Sequence, residues 1–232
     1  MRKRIINFLY NRKFLSWLLP VFNRFIGKNR ICAKKGNTIC IANAFPYKTH
    51  ISFGGHKGNT VQLGRSDLHN ADIRFKGQGN TLIIGDDCYL NGLKLIFEGN
   101  NNSIEIGNGV FILDDTRIYV VDGSSVTIGD GCMFSDHIEI RTTDNHSIYD
   151  RTTGIRINHE KNIVLGKFVW LGMHTIVLKG THLAEGTIVG AGSLVSGRHD
   201  ISHSVIAGNP AKLLRQNVVW TMERHKQITP KL

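Results

Sequence analysis

Leu165, Leu171, Val177, Leu183, Val189 and Val195 recur every six residues without a slip. Four residues after the first five stand Val169, Thr175, Thr181, Thr187 and Ser193, all small or β-branched. A helix face recurs at three and four residues and a strand face at two, so neither element alone produces a strict six. The period fits a chain that turns a corner every six residues. One aliphatic side chain points inward from each flat side, and a small residue sits where the corner is tight. Repeats of this kind stack as coils, each covering its neighbour.

A looser form of the repeat reaches back through most of the chain. Coil starts at Ile41, Leu63, Ile84, Ile106 and Ile128 lie 22, 21, 22 and 22 residues apart. Within the coils the six-step continues as Leu63, His69, Phe75; Ile84, Leu90, Ile96; Ile106, Ile112, Ile118; and Ile128, Phe134, Ile140. Three sixes make 18, so each early coil carries extra residues at one corner, marked by Gly36-Asn37, Gly58-Asn59, Gly79-Asn80, Gly99-Asn100 and Gly123-Ser124. Gly and Asn accept positive φ, which makes these equivalent turns. The expected fold is an all-β solenoid, a parallel β-helix of triangular section spanning residues 32–208, with a core of Ile, Leu and Val.

The repeat breaks once. Ile140 and Leu165 are 25 residues apart, where the other coils allow nine or ten, so a loop over 141–162 leaves the rod. It carries Arg141, Asp144, His146, Tyr149, Asp150 and Arg156. A dense polar set on a rigid scaffold is where function is expected.

Charge is divided unevenly. No Asp or Glu precedes Asp67, while 13 of the 29 Lys and Arg lie in residues 1–66; the remaining 16 basic and 18 acidic residues nearly balance. Basic residues are not interleaved with base-stacking aromatics, so nucleic acid is not an expected partner. Residues 1–31 form a separate basic, apolar segment, expected to be helical. Its longest uncharged stretch, Phe14 to Asn23, is ten residues, against the roughly 20 needed to span a bilayer. It either lies on an anionic membrane surface through residues 1–30, or packs over the open end of the solenoid or against a neighbouring subunit. Cys88 and Cys132 occupy small inward slots, and the four cysteines form no metal or redox motif. Nothing demands an oxidising compartment, and the cytoplasm is expected, at the inner membrane face if the first segment binds there.

Three stretches carry a resemblance: Leu165-Gly166-Lys-Phe-Val-Trp170-Leu171-Gly172, Ile188-Val-Gly190-Ala191-Gly192-Ser193, and Ala207-Gly-Asn-Pro-Ala-Lys212. Together they resemble the hexapeptide-repeat acetyltransferases over residues 36 to 215. Arg141-Thr-Thr-Asp144-Asn-His146-Ser-Ile-Tyr149-Asp150 is most similar to the bacterial surface-polysaccharide O-acetyltransferases, capsular polysialic-acid enzymes included. The resemblance implies a left-handed β-helix, a homotrimer, acetyl-CoA as co-substrate and a carbohydrate hydroxyl as acceptor.

It also assigns roles. His146 corresponds to the catalytic histidine, and an imidazole is chemically suited to take a hydroxyl proton near neutral pH. Asp144 or Asp150 could orient its ring. Trp170, 24 residues beyond His146, matches a functionally important tryptophan beside the thioester, although an aromatic in that slot also packs between subunits. Met173, Ala191 and Ser196 match positions along the CoA arm, and Lys212 and Arg215 match phosphate contacts. Asn209-Pro210 also reads as the start of a C-terminal helix over 209–232, on which Lys212 and Arg215 would be solvated charges. Where the family often has Thr-Lys this chain has Ser196-Gly197, which moves a phosphate contact to Arg198. Where simple sugar acetyltransferases carry an asparagine this chain has Asp114, Asp115 and Arg117, so acceptor contacts are expected from these with Arg141, Asp144 and Tyr149.

Other classes fit less well. A zinc-dependent β-helix enzyme needs a histidine triad, and none emerges from His174, His182, His199 and His203, so no metal is expected. A purely structural solenoid leaves the loop unexplained. Among enzymes, N-acetylation of an amino-sugar nucleotide is the alternative.

Overall fold

The computed structural model describes residues 28–31, 36–42 and 44–223. They form a three-faced parallel β-solenoid. The first face is an eight-stranded sheet that begins at Arg30–Ile31 and runs through Lys94–Glu98, Arg117–Val121, Glu139–Arg141 and Ile176–Val177 to Leu194–Val195. The second, also of eight strands, runs from Thr38–Ile41 through Ser125–Ile128, Ile163–Leu165 and His182–Leu183 to Arg198–His199. The third has nine, from Phe45–Tyr47 through Met133–Phe134, Trp170–Leu171 and Ile188–Val189 to Val205–Gly208 and Ala211–Arg215. Arg30–Ile31 pairs with His50–Ile51, so the first face starts just before residue 32. Of the segment expected to be helical over 1–31, residues 1–27 lie outside the described residues, and Arg30–Ile31 at its end form a strand. Among the described residues no helix is long and apolar enough to cross a membrane.

The strict hexads behave as read. Leu165, Leu171, Val177, Leu183, Val189 and Val195 are all buried in one core. At the corners, Thr175, Thr181, Thr187 and Ser193 each turn the hydroxyl back onto the carbonyl three residues earlier, at 2.6–2.7 Å. A buried hydroxyl is thereby satisfied within its own turn. Coils approach too closely for a side chain at some corners: a Cβ on Gly172 would stand 2.7 Å from the Ala191 nitrogen one coil on.

The longer coils differ from the expected register in two places. Leu68, not His69, points inward, and Leu95 and Phe97 do so in place of Ile96. The ladder aligns Leu68, Leu90 and Ile112, and then Ile73, Leu95 and Ile118. The corner after Leu90 therefore holds one residue fewer than the corner after Ile112, and a fixed six-step lands on the wrong side of the pleat. The extra residues of the early coils supply a buried amide column. Asn59 donates to Asn37, Asn80 to Asn59 and Asn102 to Asn80, at 2.9–3.2 Å. The fourth member is Asn102 rather than Asn100, whose side chain accepts from the Gln78 N–H on the outside. Ser124 and Thr142 continue the column with a hydroxyl contact of 2.6 Å.

The C-terminal helix expected over 209–232 is not formed within the described part. Ala211–Arg215 folds back antiparallel on Val205–Gly208. The proline that would open a helix instead occupies the reversal, since its fixed φ suits either. The unpaired edge of the last coil supplies the ladder that a helix would forgo.

Cys88 and Cys132 are buried and unpaired, and Cys40 is exposed. The buried thiols donate to carbonyls of the next coil, Gly107 at 3.1 Å and Gly166 at 3.2 Å. Burial pushes the Cys132 thiol up to about 12 and raises that of Cys88. Since the thiolate is the nucleophile, iodoacetamide should label Cys40 in the folded protein and spare both buried thiols, as read by peptide mass mapping. Native labelling of Cys132 would contradict this packing.

Candidate functional site

Strand order assigns most of the expected site residues to an edge of the three-sided rod. The edge from third to first face holds Asp114, Asp115, Met173 and Ala191, at equivalent corners of successive coils, with Arg117 beginning the next strand. Backbone bonds tie these corners together: the His137 N–H reaches the Asp114 carbonyl at 3.2 Å, the His174 N–H that of Asp136 at 3.0 Å, and the Gly192 N–H that of Met173 at 2.8 Å. The edge from first to second face holds the 141–162 loop and Ser196. In a single chain the full width of the first face separates His146 from Met173 and Ala191.

His137, which the sequence reading passed over, and His174, which it weighed only as a metal ligand, lie on the third-to-first edge. His137 and His174 stack with ring centroids 4.9 Å apart and planes 9° from parallel. Each stands three residues before an inward residue of the first face, Ile140 and Val177, which pair in register. That shared offset was the available signal, hidden by the intervening loop. Asp115 accepts from Lys94 at 2.7 Å and lies 3.0 Å from His137. The Lys94 ammonium, then His137 and Arg117, hold its carboxyl at about 2. An open cavity of about 310 Å³ runs along this edge between Asp115, Arg117, His137, Glu139, His174 and Ile176. Asp114 spends an oxygen on the Asp115 N–H, a turn contact.

The loop is ordered by its own polar groups. Tyr149 and Arg156 form an antiparallel bridge, making a short hairpin. Asp150 caps its tip through the N–H groups of Thr152 and Thr153 at 2.9 and 2.7 Å, so it is a turn residue. Asp144 accepts from Lys179 at 2.5 Å and Asn158 at 2.9 Å. The Lys179 ammonium, seconded by Asn158, holds that carboxyl below the usual carboxylate range. His146 is exposed at the loop surface. Its backbone is gripped on both sides, the N–H by the Asp144 carbonyl at 2.9 Å and the C=O by the Asn158 amide at 2.8 Å. Arg141 pairs with Glu139 and lies over the Tyr119 ring. Tyr149 is exposed, as are Ile148, Ile155 and Ile157 beside it.

Trp170 lies on the outer side of the third face. Its Nε1–H points at the Ser135 hydroxyl at 3.5 Å, and its ring packs 5.9 Å from that of Trp220. Trp220 is held by its own Nε1–H on the Phe168 carbonyl at 2.7 Å. The tail after the fold-back thus returns two coils down the rod and walls an apolar cavity of about 400 Å³ with Phe168, His203, Val219 and Met222. Sequence reasoning missed Trp220 because it fell within the expected helix. Lys212 and Arg215 both stand on the outer side of the fold-back strand. They pair with Ala207 and Val205, and Leu214 is the extra residue that keeps them on one side. Arg198 is engaged by Asp200 through two contacts of 2.8 and 3.0 Å. Among the described residues no group of three His, Cys, Asp or Glu is arranged to hold a metal ion.

No family model matches the chain. Several curated proteins match it over part of their length, two of them polysialic acid O-acetyltransferases. One is the polysialic acid O-acetyltransferase of Neisseria meningitidis, 31% identical over 75 residues, 32% of this chain and 35% of that protein. The other is the enzyme of the same description from Escherichia coli O1:K1, 34% identical over 76 residues, 32% of this chain and 24% of that protein. The matches therefore span about a third or less of those relatives. Solved structures extend the likeness over the whole rod. The polysialic acid O-acetyltransferase OatWY superposes with a TM-score of 0.66 at 26% identity, covering 85% of this chain and 92% of that one. The polySia-specific acetyltransferase NeuO gives 0.59 at 28%, covering 86% and 91%. The resemblance to hexapeptide-repeat acetyltransferases, read first from three short motifs, thus holds in sequence and in fold.

Proposed function

We propose that this hexapeptide-repeat β-solenoid, similar in fold to polysialic acid O-acetyltransferases, transfers the acetyl group of acetyl-CoA to a hydroxyl of a bacterial surface polysaccharide, capsule or O-antigen, or of its precursor. The observation that carries this reading is the single interruption of the rod, a buttressed loop whose exposed residue His146 is a proton acceptor by type.

The reaction needs no acyl-enzyme. The acceptor hydroxyl oxygen attacks the thioester carbonyl as His146 takes its proton; a C–O bond forms, the C–S bond breaks, and the proton passes to the departing CoA sulfur. Backbone N–H groups near Trp170 would stabilise the oxyanion. Met173, Ala191 and Ser196 would line the CoA arm, and Lys212 and Arg215, outward on one strand, would meet its phosphates. Arg198 enters this set only by leaving Asp200. The acceptor would lie toward Asp115 and Arg117.

The two halves of this site occupy different edges of one rod. We assign them to different protomers of a homotrimer, the loop of one closing against the third-to-first edge of the next. The exposed side chains of Ile148, Tyr149, Ile155 and Ile157 suit burial there. The reading places the enzyme in the cytoplasm, with residues 1–30 at the inner membrane face or over the first coil.

Incubation with acetyl-CoA and a panel of bacterial surface glycans, followed by mass spectrometry and thiol titration, should give one alkali-labile acetyl ester per CoA released. Sedimentation should report three chains. Absence of transfer across the panel, or an alkali-stable amide as product, would overturn the assignment; a fully active monomer would overturn the shared site.

A further inference from the structure

We propose that Lys179 is a positioning residue for His146, clamping the loop to the rod from the coil below. The proposal rests on the transfer reading above and goes beyond it. Val177 pairs in register with Ile140, so Lys179 occupies, one coil on, the place where the loop leaves the solenoid at Thr142. Its ammonium donates to Asp144 Oδ2 at 2.5 Å and to the Asn158 carbonyl at 2.9 Å, one contact on each limb of the loop. Asn158 passes the constraint on. Its Nδ2 donates to Asp144 at 2.9 Å and to the His146 carbonyl at 2.8 Å, and its Oδ1 accepts the Ile148 N–H at 2.7 Å.

Burial sets this pair apart. The Lys179 side chain is 15% exposed, whereas the lysines and arginines of the other ion pairs range from 26% to 65%. Exposed pairs contribute little; a lysine covered to this extent and shared between two limbs restricts the loop. The imidazole itself needs no partner in this scheme, because the backbone on both sides of it is held. Misplacing a catalytic group by about 1 Å is enough to cost about a hundredfold in rate.

The test is Lys179→Met in the full chain, which keeps most of the buried stem and removes the donor. The expected result is a kcat lower by about ten- to a hundredfold with an unchanged KM for acetyl-CoA. Hydrogen exchange at Ile148 should be faster, and Lys179→Arg should restore part of the rate. Combined with His146→Ala, it should lower the rate no further than His146→Ala alone. Wild-type kcat in Lys179→Met, unchanged exchange at Ile148, or a further fall in the double variant would each overturn the clamp. Full activity in His146→Ala would instead remove the role of His146 as base while leaving transfer itself in place, and the exchange comparison would still decide whether Lys179 holds the loop.

Discussion

Replacing His146 with alanine should lower the rate of acetyl transfer by at least about a hundredfold. A sugar hydroxyl is a poor nucleophile until its proton has somewhere to go, and in this loop the imidazole is that place. Asp150 is committed to the hairpin tip, and Asp144 is already bonded to Lys179 and Asn158. Neither is free to substitute as base. The loss should appear in kcat, because the proposed role of His146 is to take the acceptor proton and not to hold CoA. Calorimetric titration with CoA should therefore be unchanged. Thermal stability should be unchanged as well, since the side chain is exposed. Retention of full activity would mean that the proton leaves by another route.

The second large effect is structural. Phe75 sits between Phe53 and Phe97 in a column of stacked rings, with centroids 4.9 and 4.5 Å away and interplanar angles of 19° and 14°. All three are buried. Phe75→Ala removes the middle ring and leaves a void that the neighbouring coils cannot close, because backbone ladders on every face fix the coil spacing. The expected loss is about 3–5 kcal/mol. For a chain of this size it corresponds to a fall in melting temperature of roughly 6–20 °C. Glu105→Ala, at an outward-facing exposed position on the second face, should stay within about 0.5 kcal/mol. Scanning calorimetry of the two variants checks both values. A Phe75→Ala protein that melted with the parent would mean that the column is not packed as described.

The architecture was legible because its period is written in side chains that have no alternative use. An aliphatic residue every sixth position, followed by Thr or Ser at a corner, serves a three-sided coil and little else. Where corners varied by a single residue the pattern failed, as at His69 and Ile96, because a strand has two sides and a shift of one exchanges them. The loop announced itself as an interruption, and His146 with it. What stayed hidden was relational. His137 and His174 lie 37 residues apart and meet because the loop is excised from the register. Lys179 looks like an ordinary surface charge until Asp144 and Asn158 are brought over it. Asn209-Pro210 carries a local signal shared by helix starts and reversals, and the choice between them was made by an open sheet edge elsewhere.

That reversal has a consequence for how the molecule ends. A pile of equivalent rungs contains no instruction to stop, and one more rung from another copy would fit as well as its own. By laying Ala211–Arg215 in the opposite direction on Val205–Gly208, the chain extends its third face by one strand, while the other two faces stop at Leu194–Val195 and Arg198–His199. Another copy would meet a stepped end rather than a flat one, which disfavours head-to-tail stacking there.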